Sequence, residues 1–117
     1  MDLDHAIQTH AGWRIKFRSA ISKHETMDYS NIHKDSCCEF GKWLHGEAKL
    51  KFGKLVSYAE CVAKHAAFHV EAAKVAAAIN LKHYAEAEKM IGTNTPYADA
   101  STAVAGAILK LKKETQH

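Results

Sequence analysis

Residues 55–80 read LVSYAECVAKHAAFHVEAAKVAAAIN, and the fold follows from this stretch. Leu55, Tyr58, Val62, His65, His69, Ala72, Ala76 and Ile79 recur at alternating intervals of three and four, the repeat that aligns one face of an α-helix. The stretch holds no proline or glycine, and it is rich in alanine, the strongest helix former. The spacing predicts one long helix from about Leu55 to about Asn80. His65 and His69 stand in the middle of its apolar face, where an unpaired imidazole costs free energy.

Working outward, a second stripe begins near the N-terminus. Leu3, Ala6, His10, Trp13, Phe17 and Ala20, widened by Ile7 and Ile21, predict a helix from about Asp2 to about Lys23. A polar stretch, His24 to Asp35, reads as a loop. Ser36 with Glu39 three residues on is a capping-box pattern and announces a short helix with Phe40, Trp43 and Leu44. Gly46 is expected to end it, and a second loop to run from Gly46 to about Gly53. Beyond the long helix, Tyr84, Ala87 and Ile91 mark a shorter one that stops near Gly92. Thr95 as cap and Pro96 as first helical residue start the last helix, with Tyr97, Ser101, Val104, Ile108 and Leu111 as its stripe. The expected fold is all-α: an antiparallel four-helix bundle with a short extra helix carrying the cysteine ligand.

The 117 residues fit one domain and can bury a core without disulfides. A net charge of +3, spread along the chain with no basic stripe, argues against nucleic acid as partner. No apolar run approaches the roughly 18 residues that span a bilayer, and the N-terminus lacks the features of a signal peptide. A cytoplasmic location away from the membrane is expected. Three cysteines, of which Cys37 and Cys38 are adjacent, suit reduced thiols or a metal ligand better than a disulfide framework.

Nine histidines are the compositional oddity. His65 and His69, four apart on one helix, put two imidazoles within reach of a single ion. Each histidine alone is equally well read as a buried residue with a local hydrogen bond. Three of them on two inward stripes, His10 included, are better satisfied by one shared metal. Zinc takes four tetrahedral nitrogen or sulfur ligands, which leaves one place. Cys38 is the natural candidate, although spacing alone does not decide whether it or Cys37 points inward. With Ser36 as cap, both would occupy the first helical positions, where free amides and the helix dipole favour thiolate. Cys61 lies off the His65–His69 face and reads as a small buried apolar residue. His5, His24, His33, His83 and His117 sit at polar or terminal positions and read as solvated.

Other functions use similar parts. A hemerythrin-like di-iron oxygen-binding bundle, the main alternative, needs more histidines and bridging carboxylates, and no Asp or Glu stands on the two histidine stripes. A zinc hydrolase keeps an open metal position and a nearby carboxylate base, whereas Ala66, Ala67 and Phe68 fill the interval between His65 and His69. The chain is therefore expected not to be an enzyme. A metal-free helical interaction module is the third alternative.

His10 followed by Trp13, then Cys38-Glu39-Phe40-Gly41-Lys42-Trp43, then His65 and His69, resembles the CZB family, the chemoreceptor zinc-binding domain. That family's pattern is a histidine with a nearby tryptophan, a Cys-x-Leu/Phe-Gly-x-Trp segment and a late His-x-x-x-His. Its motifs span Leu3 to about Val70 here. The resemblance implies a His3Cys site for one Zn2+ per chain, made of His10, Cys38, His65 and His69, and so selects Cys38 over Cys37. It implies a single sensory domain over residues 1–117, forming a homodimer in bacterial signal transduction. The output would be a chemoreceptor or a diguanylate cyclase, attached in cis or met in trans. The alanine-rich run from Ala72 to Ala78 would also permit close approach of another helix. Trp13 and Trp43 match the family's aromatic positions and read as core packing, while Cys37 and His45 stand outside the pattern. Cys38, placed between two expected loops, would be the ligand able to respond to zinc or to oxidants, with the histidines held in long helices.

Overall fold

The computed structural model describes residues 1–36 and 38–115, and among these every regular element is a helix. The all-α expectation holds. The N-terminal stripe forms α1 (Leu3–Ala11) and α2 (Trp13–Lys23), with Asp2 capping α1 by accepting from the His5 amide at 3.1 Å. The single helix expected here is interrupted at Gly12. Its φ and ψ, −69° and −14°, stay helical, and the amides of Ile15 and Lys16 both reach its carbonyl, at 3.1 and 3.3 Å. The rod thus continues through one irregular turn, at the residue whose missing side chain resists that least. At its far end His24 adopts the left-handed conformation, φ 55°, and stacks on Tyr84 with ring centroids 4.1 Å apart.

The middle of the chain is more helical than its polar sequence suggests. The expected loop from His24 to Asp35 contains α3 (Tyr29–His33), capped by Asp28, whose carboxylate accepts from the Asn31 amide. Ile32 anchors α3 in the core. Next comes α4 (Glu39–His45), and its cap is Cys38, in place of the Ser36 expected from the capping-box pattern. Cys38 is extended, with ψ 156°, and its sulfur accepts from the Gly41 amide at 3.2 Å. It therefore precedes the helix. Cys37 lies outside the described residues, as does His117, so their expected placements stand apart from this description. Gly46 ends α4, but α5 (Glu47–Phe52) starts at once where a loop was expected.

The decisive stretch forms α6 (Val56–Asn80), nearly as predicted and buried on more than one face. Besides the expected stripe, Cys61, Phe68, Ala73 and Val75 are buried. A short α7 (Tyr84–Met90) leads to α8 (Pro96–Thr115), where Thr95 Oγ1 accepts from the Ala98 amide at 3.1 Å. No helix among the described residues is long and apolar enough to cross a membrane.

Pairings along the rods fix their directions. Ser57, at the start of α6, donates to Glu114, near the end of α8, at 2.8 Å, so the two run antiparallel. Asp4 pairs with Lys112 at 2.8 Å, and Phe17 meets Tyr97 with centroids 5.8 Å apart, so α1–α2 also opposes α8. It follows that α1–α2 and α6 run parallel, and the chain between them must travel back. It does so along α6, through α3, α4 and α5. Asn80 fastens the start of this return, accepting from the Met27 amide at 2.8 Å and donating to the Met27 carbonyl at 2.9 Å. Tyr58 fastens its later part by donating to the Leu44 carbonyl at 2.9 Å. The shorter helix expected as a main bundle member is the connector α7. The return segment packs along α6 and carries Cys38 past its two histidines.

Candidate metal centre

His10 comes from α1, Cys38 from the cap of α4, and His65 and His69 from successive turns of α6. The three histidines are at most 2% exposed and Cys38 is half-buried. One ligand atom from each lies within 4.8 Å of the others. Cys38 Sγ is 3.3 Å from His65 Nε2 and 3.6 Å from His69 Nε2, and those two nitrogens are 3.1 Å apart. Bond lengths to zinc set the edges of a regular tetrahedral site at roughly 3.3 Å between nitrogens and roughly 3.6 Å between nitrogen and sulfur. The observed edges agree within a few tenths of an ångström. These three donors therefore fit a tetrahedral dication of zinc's size, and His10 brings a fourth within 4.8 Å of them.

Ring orientation supports the fit. His10 Nδ1 donates to the Ala6 carbonyl, one turn back on its own helix, at 2.7 Å. His69 Nδ1 donates to the Ile32 carbonyl of α3 at 2.8 Å. Each bond commits the ring proton to Nδ1 and leaves Nε2 with a lone pair aimed inward, as a metal ligand requires. His10 Nε2 is buried and has no hydrogen-bond partner. An orphaned acceptor in a core is unfavourable unless a cation meets it.

Close approach of α4 depends on Gly41. A Cβ there would run into the Asp35 carbonyl oxygen and come within 3.2 Å of His65 Cε1. Phe40 and Phe68 set their rings edge-on to His10, excluding water from that side. Trp13 and Trp43 are partly buried and pack on the core, as expected; Trp13 also carries Lys16 over its ring, 4.5 Å from the centroid.

Burial dominates the electrostatics. It pushes the pKa of His10, His65 and His69 down, and neighbouring imidazoles add to this for His10 and His65; that of His65 falls to about 3. All three rings are thus neutral near pH 7, the form that binds metal. Burial likewise pushes the Cys38 thiol up, with the nearby amides of Gly41 and Phe40 opposing it. The helix-end stabilisation of thiolate expected from sequence acts in the predicted direction but is outweighed in the metal-free chain. A bound dication reverses that balance. Cys61 lies outside the cluster, fully buried, its pKa pushed up to about 12.

His5, His24, His33 and His83 are exposed, as expected. Sequence reasoning missed the partners around the cluster. The Ala6 and Ile32 carbonyls carry no side-chain signal, although Asp28 as a cap could have revealed α3. Asp35 was also overlooked: its carboxylate accepts from His45 Nε2 at 2.9 Å and lies 3.9 Å from His65 Nδ1.

A model of the chemoreceptor zinc-binding domain matches residues 10–76, more than half of the chain and inclusive of all four clustered residues. No curated protein and no solved structure matches the chain at a comparable level.

The lowered histidine pKa values fix the acid response of the metal-free protein. The unfolded chain, with imidazoles near the ordinary 6.5, takes up protons that the folded chain refuses. Stability from these groups is complete above that value and is lost as pH falls toward the folded values. Urea unfolding of metal-free protein should give a clearly lower midpoint at about pH 5 than at about pH 7. Equal midpoints would contradict neutral burial of the three rings.

Proposed function

The chain belongs to the chemoreceptor zinc-binding domain family, and from that premise we propose that it is a sensory domain of bacterial signal transduction. It binds one zinc ion through His10, Cys38, His65 and His69 and passes the state of that site to a signalling output. The observation that carries this reading is the convergence of three buried imidazole nitrogens and one sulfur within 4.8 Å of one another, with the Cys38, His65 and His69 edges near tetrahedral length. Bound zinc supplies positive charge that holds Cys38 as thiolate, and it ties α1, α4 and α6 together. Four protein donors complete the site and leave no position for a substrate, so the function proposed is regulatory, without catalysis. Among the described residues the cluster includes no carboxylate, which disfavours the hemerythrin-like di-iron alternative.

Cys38 is the ligand proposed to move. The histidines sit inside α1 and α6, whereas Cys38 stands outside any helix, immediately before α4. Since α3 and α5 replace the two expected loops, its freedom is confined to the start of α4. A cleft of about 400 Å3 lined by Trp13, Met27, Ile32, Cys38 and His69 gives access to the sulfur. Loss of metal would release the thiol. Oxidation by a hydroperoxide, which transfers one oxygen atom to sulfur and departs as hydroxide or alkoxide, would also remove the sulfur as a ligand and weaken its capping of α4. Either event biases a two-state element next to α6.

A cytoplasmic homodimer, with a chemoreceptor or diguanylate cyclase as output in cis or in trans, completes the proposal and rests on the family. The alanine-rich run lends it no support, because Ala72, Ala73 and Ala76 are at most 1% exposed within this chain.

Protein purified without added zinc is expected to hold one zinc per chain by metal analysis. Alanine at His10, Cys38, His65 or His69 should each remove most of the affinity, while His24→Ala and His33→Ala should not; parent-like binding by His10→Ala would dismiss the assigned set. Hydrogen exchange should quicken around residues 38–46 in metal-free protein and in Cys38→Ser, with α1 and α6 still protected. Global unfolding of the metal-free form, or no change at all, would reduce the metal to a structural staple. Sedimentation at micromolar concentration should give a dimer, and a zinc-loaded monomer would refute that part.

A further inference from the structure

Two of the three clustered imidazoles have a main-chain carbonyl to hold their outer nitrogen, and the third has none. A metal on His65 Nε2 obliges the ring proton to sit on Nδ1. That nitrogen is buried with no hydrogen-bond partner, and a buried N–H without an acceptor is costly. An anionic oxygen, Asp35 Oδ2, lies 3.9 Å away. We propose that Asp35 is a positioning residue of the metal centre, its carboxylate accepting the Nδ1 proton of His65 while His45 steadies that carboxylate from the solvent side. The inference rests on the reading of the cluster as a zinc site.

The placement of Asp35 supports this role. Its carboxylate is about a quarter exposed and already bound by His45 Nε2 at 2.9 Å. Its backbone oxygen lies 3.7 Å from Cys38 Sγ and faces Gly41, where the missing Cβ admits it. One residue thus lies against the thiol and also faces a ligand ring on α6. The remaining gap to His65 exceeds a hydrogen bond by under 1 Å, a distance that rotation of the carboxylate or a single bridging water can close. A carboxylate behind a ligand imidazole fixes the ring and strengthens it as a donor, more so than the neutral carbonyls behind His10 and His69. The simpler account is that Asp35 and His45 form a surface pair of small energetic weight. On that account Asp35 would not influence the metal.

Competition titration of zinc and NMR of the histidine ring N–H groups in the zinc-loaded full chain separate the two accounts. Asp35→Ala should still take one zinc per chain, about 10- to 100-fold more weakly than the parent, and Asp35→Asn should fall between them. The His65 Nδ1–H resonance should move upfield or broaden in both variants, while those of His10 and His69 stay in place. If Asp35→Ala fails to fold, judged by circular dichroism, the isosteric Asp35→Asn decides by the same resonance. Asp35→Ala affinity within about twofold of the parent, or an unmoved His65 resonance, overturns the inference alone. A parent chain that holds no zinc overturns the metal reading and this inference with it.

Discussion

His65 Nε2 and His69 Nε2 face each other at 3.1 Å inside the core, with Cys38 Sγ against both and the unpartnered His10 Nε2 beside them. Burial strips these donors of water. In the neutral, metal-free chain the 3.1 Å contact is served by an N–H of His65 Nε2 donating to His69 Nε2, whose own ring proton is committed to the Ile32 carbonyl. His10 Nε2 is an acceptor left without a partner, and a cation at the centre would meet all four donors together. Much of the surrounding structure serves to keep the four donors in this arrangement. Gly41 lets α4 approach, Phe40 and Phe68 exclude water, and α6 brings two donors in on one face.

The path of the chain answers to the same constraint. Because α1–α2 and α6 run parallel, the intervening segment has to return along α6, and the return places Ile32 beside His69 and Cys38 beside His65. The short helices on this path have separate tasks. α3 presents a carbonyl that fixes the His69 ring, and α5 leads on from α4 to the start of α6. Asn80 and Tyr58 fasten the segment to α6 near either end of the return, through bonds to main-chain groups. Such bonds hold backbone in position whatever side chains surround it, which suits a segment whose helices are too short to be stable alone.

Cys38 joins the local and the tertiary levels. Its sulfur caps α4 through the Gly41 amide and also faces the imidazoles, so the state of the sulfur bears on the start of a helix as well as on the metal. A serine cap would have served the helix equally and the cluster poorly. Phe40, in the first turn of α4, packs on His65 of α6, with ring centroids 5.1 Å apart.

The long helices, and the inward placing of His10, His65 and His69, were legible in the sequence because helical periodicity is a local property. A stripe at three-four spacing specifies which side chains share a face before anything is known of the partner. The choice of Cys38 came from the motif around it, since helix spacing leaves it level with Cys37. Tertiary structure alone decided the rest. Ser36 looked like the cap, yet Cys38 took that place because its sulfur is held by α6. The stretch from His24 to Asp35 looked like a loop, yet Ile32 found a site on α6 and drew a helical turn around it. The Ala6 and Ile32 carbonyls orient two rings, and a backbone carbonyl is identical at every position of a sequence. Asp35 comes to 3.9 Å from His65 across 30 residues because α1–α2 and α6 are parallel, a relation set by contacts of both with α8 and therefore invisible in any one segment.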